Sequence, residues 1–377
     1  MIWILLASMA LAESWCAVPL TAHEWGVQAF DVSGADVRGT AIPTWFHTDA
    51  SGGTMAGVPV RTLPHDSGIR DLPVLQFYGP RVFGDTIPVA IDVGFTQGQA
   101  SAWWPQVSKR QSPAEANSAE SHRARARLLK ERGQREPFSR EYRALPTDPT
   151  AQLLWEGLDA TRDAPRPESS GVPWIESLRD IEGALWLSNG TESERFVFYE
   201  ADTSESPSLT LERGNSWTAA RPHYVLRNTS DWPVHDVFFS ADGFVFFAPS
   251  IPSGATAGLL LDQHRDRDPL SSLRARLIDP SATAPTDVID WSKGCEMMRD
   301  PAIPQIEAEG HLLYAAEVDV LLDVWGDRFF SESPTLVYRE DVRALQALMP
   351  LGIYTDMYHY VQLRRLGLVV VEGLTLP

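Results

Sequence analysis

Apolar and polar residues alternate most clearly between residues 72 and 105, and this alternation predicts β-strands. Leu75 and Phe77 fall on one face of a first strand. The apolar face of a second strand consists of Val89, Ile91, Val93 and Phe95. A turn containing Gly98 follows, and it predicts that residues 100–104 run back as the hairpin partner of the second strand.

Short segments rich in Val, Phe and Tyr predict further strands before and after this region. They cover residues 24–30, 44–47, 195–200, 208–211, 224–227, 234–239, 244–247 and 257–261. Asn, Asp, Gly and Pro residues mark the turns between them. This spacing is typical of a sandwich, and we expect immunoglobulin-like layers.

Helical periodicity is strongest at residues 309–330, where apolar side chains recur at four-residue steps. Shorter helices are expected at 152–158, 269–277 and 341–348, and strands at 335–339 and 367–372. Residues 113–135 predict an exposed helix with an arginine-rich face.

The predicted fold is mainly β, with an α+β C-terminal part and a helical insertion. A chain of 377 residues favours two domains. We expect a signal peptide at 1–22, a β-sandwich-like part from 23–105 and 194–262, a helical and loop-rich insertion at 106–193, and an α+β part at 268–377. The two β segments fit either one sandwich or two separate domains.

The first residues predict export. Residues 2–12 form an apolar run suited to a secretory signal and too short to span a bilayer. Cleavage fits after Ala12 or after Ala22. The first choice leaves Cys16 free to pair with Cys295 in an oxidising compartment, and the second leaves Cys295 alone. We expect a periplasmic or secreted protein that is not inserted in a membrane after cleavage.

A net charge of −18 argues against nucleic acid and anionic membranes as partners, because both reward clustered Lys and Arg. The 13 tryptophans indicate either a generous core or a surface on which ligands stack. Trp103 and Trp104 are the candidate ligand-binding pair. One ring would face a sugar or peptide while the other packs inward, or both belong to the core.

Four motifs resemble an exported protein family of bacteria that is known mainly from genome sequences. They are H-E-W-G at 23–26, L-P-V-L-Q-F-Y at 72–78 with V-G-F at 93–95 and W-W-P at 103–105, E-R-F-V-F-Y at 194–199, and W-G-D-R-F-F at 325–330 with L-V-Y at 336–338. The chain departs from the family at Val27, where the family carries threonine. The resemblance implies no catalytic residues, because the family has no established activity.

The familiar catalytic and phosphate-binding motifs are absent from the sequence. His23 is the most suggestive residue, because cleavage after Ala22 would leave its amine and imidazole free to chelate copper. His47 and His65 are the candidate second ligands of such a histidine brace. The alternative is that His23 and Glu24 anchor the first strand through hydrogen bonds.

Two functions therefore follow from the sequence. The first is an extracytoplasmic binding or structural module with an extracellular ligand or protein partner. The second is a metal-dependent, copper-brace-like enzyme centred on His23.

Overall fold

The computed structural model describes residues 16–31, 42–48, 54–55, 58–59, 68–96, 99–111, 151–203, 205–214, 224–241, 243–259, 268–286, 288–293, 296–301, 303–331 and 333–374. The predicted helix at 113–135 and His65 lie outside these ranges.

Strands dominate the described ranges, which confirms the prediction of a mainly β fold. The strands are β1 (Cys16–Asp31), β2 (His47–Thr48), β3 (Thr54–Met55), β4 (Val58–Pro59), β5 (Gly68–Tyr78), β6 (Ile87–Phe95), β7 (Gln99–Trp104), β8 (Lys109–Gln111), β9 (Ala151–Thr161), β10 (Trp186–Ser188), β11 (Ser193–Glu194), β12 (Val197–Thr203), β13 (Leu209–Arg213), β14 (Tyr224–Asn228), β15 (Val234–Ala241), β16 (Phe244–Ile251), β17 (Thr256–Leu259), β18 (Glu296–Met297), β19 (Ala308–Gly310), β20 (Thr335–Glu340), β21 (Leu351–Thr355) and β22 (His359–Glu372).

Within these ranges, eleven strands form the main sheet. Its order is β16-β15-β20-β22-β1-β5-β12-β7-β2, with β18 beside β1 and β19 beside β22. A six-stranded sheet has the order β11-β10-β9-β6-β21, with β8 beside β9, and a smaller sheet has the order β13-β14-β17. The main sheet takes strands both from the predicted sandwich segments and from the predicted C-terminal part.

The helices are α1 (Pro173–Arg179), α2 (Pro269–Leu277), α3 (Ala315–Phe329) and α4 (Val342–Leu348). Helix α2 begins and ends at the predicted residues. Helix α3 begins six residues later than predicted, because Tyr314 is its N-cap and has extended backbone angles. No helix in the described ranges is long and apolar enough to cross a membrane.

Three layers of structure share the two faces of the main sheet. Helices α1, α2 and α3 pack on one face, in a core that includes Trp25, Leu321 and Trp325. The six-stranded and three-stranded sheets pack on the opposite face, in two further cores. Strand β1 lies in the middle of the main sheet. It pairs with β22 in parallel from Val18 to Asp31 and with β5 on its other side. Burial on both faces explains why β1 has few exposed residues.

The predicted hairpin between the second strand and residues 100–104 is wrong. Residues 99–104 do form β7, but β7 pairs with β12 and β2 in the main sheet. Strand β6 belongs to the six-stranded sheet and pairs with β9 and β21. Strands β6 and β7 therefore belong to different sheets.

The predicted helix at 152–158 is also wrong, because these residues lie within β9. This strand pairs with β6, β8 and β10, and its successive residues Leu153, Leu154 and Trp155 are all buried, so apolar residues are buried on both of its faces. Gly157 has φ 96°, and β9 carries an extra residue between Trp155 and Leu158 opposite β6. Such a bulge breaks the two-residue alternation that marks a strand.

Candidate functional site

The first two residues of the H-E-W-G motif lie inside β1 and point to opposite faces of the main sheet. His23 faces the helices, and Glu24 faces the six-stranded sheet. Both side chains are buried. Buried polar groups need hydrogen-bond partners, and each residue has partners distant in sequence.

The partner of His23 is Glu317 in the first turn of α3. His23 Nδ1 lies 2.7 Å from Glu317 Oε2, and neither side chain is exposed to solvent. The same oxygen accepts a 2.9 Å hydrogen bond from the backbone N–H of Tyr314, the N-cap residue. Glu317 therefore both caps α3 and attaches it to β1.

Two tyrosines complete the surroundings of the imidazole. The His23 ring centroid lies 4.6 Å from that of Tyr314 and 5.5 Å from that of Tyr78, and the two phenol rings are 4.9 Å apart. Gln76 is directly opposite His23 in the pairing of β1 with β5, on the same face. We call His23, Gln76, Tyr78, Tyr314 and Glu317 the His23 cluster.

Burial and the nearby Glu317 carboxylate keep both phenols of the His23 cluster neutral. They raise the pKa of Tyr314 to about 12. They also raise the pKa of Tyr78 well above its ordinary value. Desolvation is the larger cause for both residues, because a phenolate would lose its hydration in the core.

Polar atoms of the His23 cluster remain without a protein partner. Within the described part of the chain, no hydrogen-bond partner reaches His23 Nε2, Glu317 Oε1 or either polar atom of the Gln76 amide. With Nδ1 donating to Glu317, Nε2 of His23 would be a hydrogen-bond acceptor, the arrangement of a base oriented by a carboxylate. His23 is nevertheless fully buried, so no substrate reaches it in this conformation.

Glu24 forms a separate buried network on the other face of the sheet. Arg365 on β22 donates to both carboxylate oxygens of Glu24, from Nε and from Nη2, and the hydroxyl of Tyr199 also donates to Glu24. Nη1 of Arg365 donates to Gln346 at 2.7 Å. These bonds tie β1, β12, β22 and α4 together and give Glu24 a structural role.

A cleft of about 650 Å³ lies beside the His23 cluster. Its floor is formed by the first halves of β1 and β22, and its wall by described residues within 281–286 and 288–290. The floor presents Val18, Pro19, Thr21, Tyr360, Gln362 and Arg364. Tyr314 borders both this cleft, which we call the 281–290 cleft, and the His23 cluster. The volume is within the range of about 300–1,000 Å³ of small-molecule sites.

Three alternate residues of β22 give the cleft floor its hydrogen-bonding groups. Within the described ranges, the Tyr360 hydroxyl and the Gln362 amide have no hydrogen-bond partner. Nη1 of Arg364 donates hydrogen bonds to the Asp279 carboxylate, at 2.7 Å, and to the Leu312 carbonyl, at 2.8 Å. The hydrogen bond from Arg364 lowers the pKa of Asp279 to about 2, so the pair is ionised and compensated.

One exposed apolar side chain lines the cleft, and two more lie on segments next to its lining in sequence or in strand pairing. Val288, in the wall, is 75% exposed, and Trp291, three residues later, is 38% exposed. Met297 on β18 is 86% exposed and pairs with Cys16 at the start of β1. Val288 therefore gives the cleft wall an apolar surface that a bound ligand can cover.

Sequence reasoning missed this cleft. The alternation of Tyr360, Gln362 and Arg364 with Val361 and Leu363 was the available signal, because it marks a strand with one polar face. Only residues 367–372 of this strand were predicted. The wall at residues 281–290 has no helical or strand periodicity and gave no signal.

The predicted ligand-binding tryptophans lie away from this cleft, within the sheet core. Trp103 is buried, and its Nε1 donates to Gln106 at 3.0 Å. Trp104 is half-buried and stacks on His47, with ring centroids 5.2 Å apart and planes 7° apart. Trp45 and Phe46 contact the same ring.

The structure does not bring the described candidate metal ligands together. His47 Nε2 lies 2.7 Å from Glu192, whereas the contacts of His23 are within the His23 cluster. Among the described residues, no group of three or more His, Cys, Asp or Glu side chains could hold a metal ion. His65 lies outside the described ranges, so the brace stays a prediction.

Comparisons with known proteins add little to this site. No family model matches the chain, and no curated protein matches it. Among solved structures, it is similar to the yeast delta-COP-I mu-homology domain complexed with a Dsl1 WxWxV peptide (6% identity, 95% of this chain and 96% of that chain, TM-score 0.27). It is also similar to the Danio rerio Fcho1 mu homology domain with bound Eps15 peptide (6% identity, 95% of each chain, TM-score 0.30). These TM-scores are too low to support an argument.

Proposed function

We propose that this chain is an exported binding module, periplasmic or secreted, that holds its ligand in the 281–290 cleft. The observation that carries the proposal is the row of hydrogen-bonding groups on the cleft floor, at Tyr360, Gln362 and Arg364. Convergent polar groups in a concave surface with an apolar rim are the usual composition of a ligand site. An extracellular ligand or a protein partner would enter from the side of the exposed wall residue Val288.

The His23 cluster supports a binding role more than a catalytic one. Its acid–base pair is closed off from solvent, and Tyr314 lies between it and the cleft. A catalytic base must come within hydrogen-bond reach of the proton that it takes. In this conformation the cluster fixes Tyr314, one side of the cleft, and holds α3 against β1.

The second candidate is the metal-dependent, copper-brace-like enzyme centred on His23. The unpartnered Nε2 of His23 favours it, because a histidine brace needs free nitrogen ligands. The brace also needs His23 as the first residue of the mature protein. A copper titration of the processed protein distinguishes the two candidates, and tight stoichiometric binding would support the brace.

The immunoglobulin-like description of the sandwich remains part of this proposal. Its support is the three-stranded sheet β13-β14-β17, which packs against β15 and β16 through Leu226, Phe239 and Ala248. Such a two-layer arrangement is common among extracellular binding modules. It carries no function by itself.

Thermal unfolding with panels of oligosaccharides, peptides and nucleotides tests the binding proposal. A ligand of the folded state raises the melting temperature. We expect at least one of these classes of compound to raise the melting temperature of the natural protein. The increase should disappear in Gln362→Trp, whose larger side chain fills the cleft. Stabilisation that is equal in both proteins, or absent with every class, contradicts the proposal.

A further inference from the structure

We infer that the ligand of the 281–290 cleft is a neutral oligosaccharide. The inference rests on the proposed function and adds the chemical class of the ligand. It follows from the charge of the cleft floor, the kind of hydrogen-bonding groups on it, and the way that β1 and β22 use their backbone groups.

The floor of the cleft carries little uncompensated charge, and the carboxylate in the described wall, Asp290, accepts hydrogen bonds from the backbone N–H and the hydroxyl of Ser292. Asp279 neutralises Arg364, and the raised pKa of Tyr314 keeps its phenol protonated. Burial likewise raises the pKa of Tyr360, and Gln362 is an amide. A charged ligand would have to give up hydration with little compensation from these groups. An anionic ligand would also meet the net charge of −18.

The available groups match sugar hydroxyls in kind and in spacing. A phenol and an amide each donate and accept hydrogen bonds, as a sugar hydroxyl does. Both hydrogen bonds of the Arg364 side chain are made by Nη1. Its Nε and Nη2 groups therefore have no partner in the described ranges and can donate to a ligand. Since Tyr360, Gln362 and Arg364 alternate along β22, the row extends over about 13 Å. This length suits a chain of sugar units more than one small molecule.

An exposed aromatic residue follows the cleft wall in sequence. Trp291 comes directly after the wall residue Asp290 and is 38% exposed, and an indole presents an apolar face that suits the C–H surface of a sugar ring.

A peptide fits this floor less well. Extended peptides commonly bind by adding a strand to a free sheet edge. In the floor, β1 and β22 pair with each other from Val18↔His359 onward, so their facing backbone groups are already used. The cleft therefore presents side chains and no strand edge at this pairing.

Isothermal titration calorimetry with hexaoses of glucose, N-acetylglucosamine, mannose and xylose, and with a hexapeptide library, tests the inference. Tyr360→Phe and Gln362→Leu each remove hydrogen-bonding atoms from the floor. We expect each to weaken saccharide binding about tenfold, the effect of one lost hydrogen bond. Tyr358→Phe is the matched control, because Tyr358 is near the start of β22 and outside the cleft lining. We expect it to bind like the natural protein.

The outcomes separate the inference from the proposed function. Saccharide binding that is weakened in both cleft variants and unchanged in the control supports both. Peptide binding with the same sensitivity, and no saccharide binding, overturns the inference and leaves the proposed function standing. Binding that is unchanged in both cleft variants, or absent with every probe, overturns both.

Discussion

His23 Nδ1 and Glu317 Oε2 lie 2.7 Å apart, and neither side chain is exposed to solvent. The pair joins the central strand β1 to the first turn of α3 across 294 residues of sequence. Removing one member of a buried pair leaves the other without compensation, which costs more than the pair itself contributes.

We therefore predict that Glu317→Ala lowers the free energy of unfolding by about 3–5 kcal/mol. The substitution leaves Nδ1 of His23 without its hydrogen-bond partner and also removes the acceptor for the Tyr314 N–H. Glu317→Gln should cost less than half as much, because its amide oxygen still accepts from that N–H. Urea unfolding measures both. Asp323→Ala is the control, since Asp323 is an exposed acidic residue on the same helix. An Ala variant as stable as this control would contradict the assigned role.

Two tryptophans provide a matched comparison between core and surface. Trp104 packs against Trp45, Phe46 and His47, whereas Trp291 is 38% exposed. We predict that Trp104→Ala costs about 3 kcal/mol in unfolding free energy, at the lower end for a core aromatic because its ring is only half-buried. Trp291→Ala should cost less than about 0.5 kcal/mol. Equal costs would show that Trp104 is a surface residue, as a ligand-stacking role requires.

His311 predicts a pH dependence of stability. Burial and the nearby Arg339 lower the pKa of His311 from 6.5 to about 4. The unfolded chain therefore takes up this proton first, at about pH 6.5, and the folded protein only near pH 4. Stability is fully present above pH 6.5 and falls as the pH drops through this window, by about 2 kcal/mol for this partly exposed residue.

Unfolding free energies at pH 7 and pH 4.5 check this prediction. His311→Gln should lose less stability between the two values than the natural protein does. Other groups titrate in both proteins. The difference between the two proteins in the stability lost from pH 7 to pH 4.5 is therefore due to His311. Identical slopes would mean that His311 is as hydrated in the folded state as in the unfolded chain.

Much of the secondary structure could be predicted from the sequence, because the local patterns are strong. Helix α2 follows Asp268, whose side chain accepts from the Ser271 N–H, and this cap is readable in the sequence. Helix α4 follows Asp341 in the same way. Strands β5, β6 and β15 appear within a few residues of their predicted bounds.

The pairing of strands could not be predicted, because alternation identifies a face and not a neighbour. Strand β6 finds its partners in β9 and β21, 56 or more residues later along the chain. The candidate site depends on such pairings. The parallel contact of β1 with β22 places His23 beside Arg364, and the packing of α3 brings Glu317 to His23. No local pattern predicts contacts between segments so far apart in the chain.

The last prediction concerns the N-terminus of the mature protein. Cleavage after Ala22 would remove residues 16–22, which include Cys16 and pair in turn with β18, β22 and β5. Cys16 is disulfide-bonded, and a disulfide of this kind is worth about 2–4 kcal/mol. Of the two sites readable in the sequence, we therefore expect cleavage after Ala12.

Intact-mass analysis of the exported protein identifies the first residue, and thiol alkylation before and after reduction reports the disulfide. A chain produced from His23 onward should be unfolded by circular dichroism, because it lacks five of the fourteen residue pairs between β1 and β22 and leaves His23 at an exposed chain end. The same protein is the one that a copper brace requires. A folded chain that begins at His23 and binds copper stoichiometrically would overturn this prediction and make the metal-dependent enzyme the better proposal.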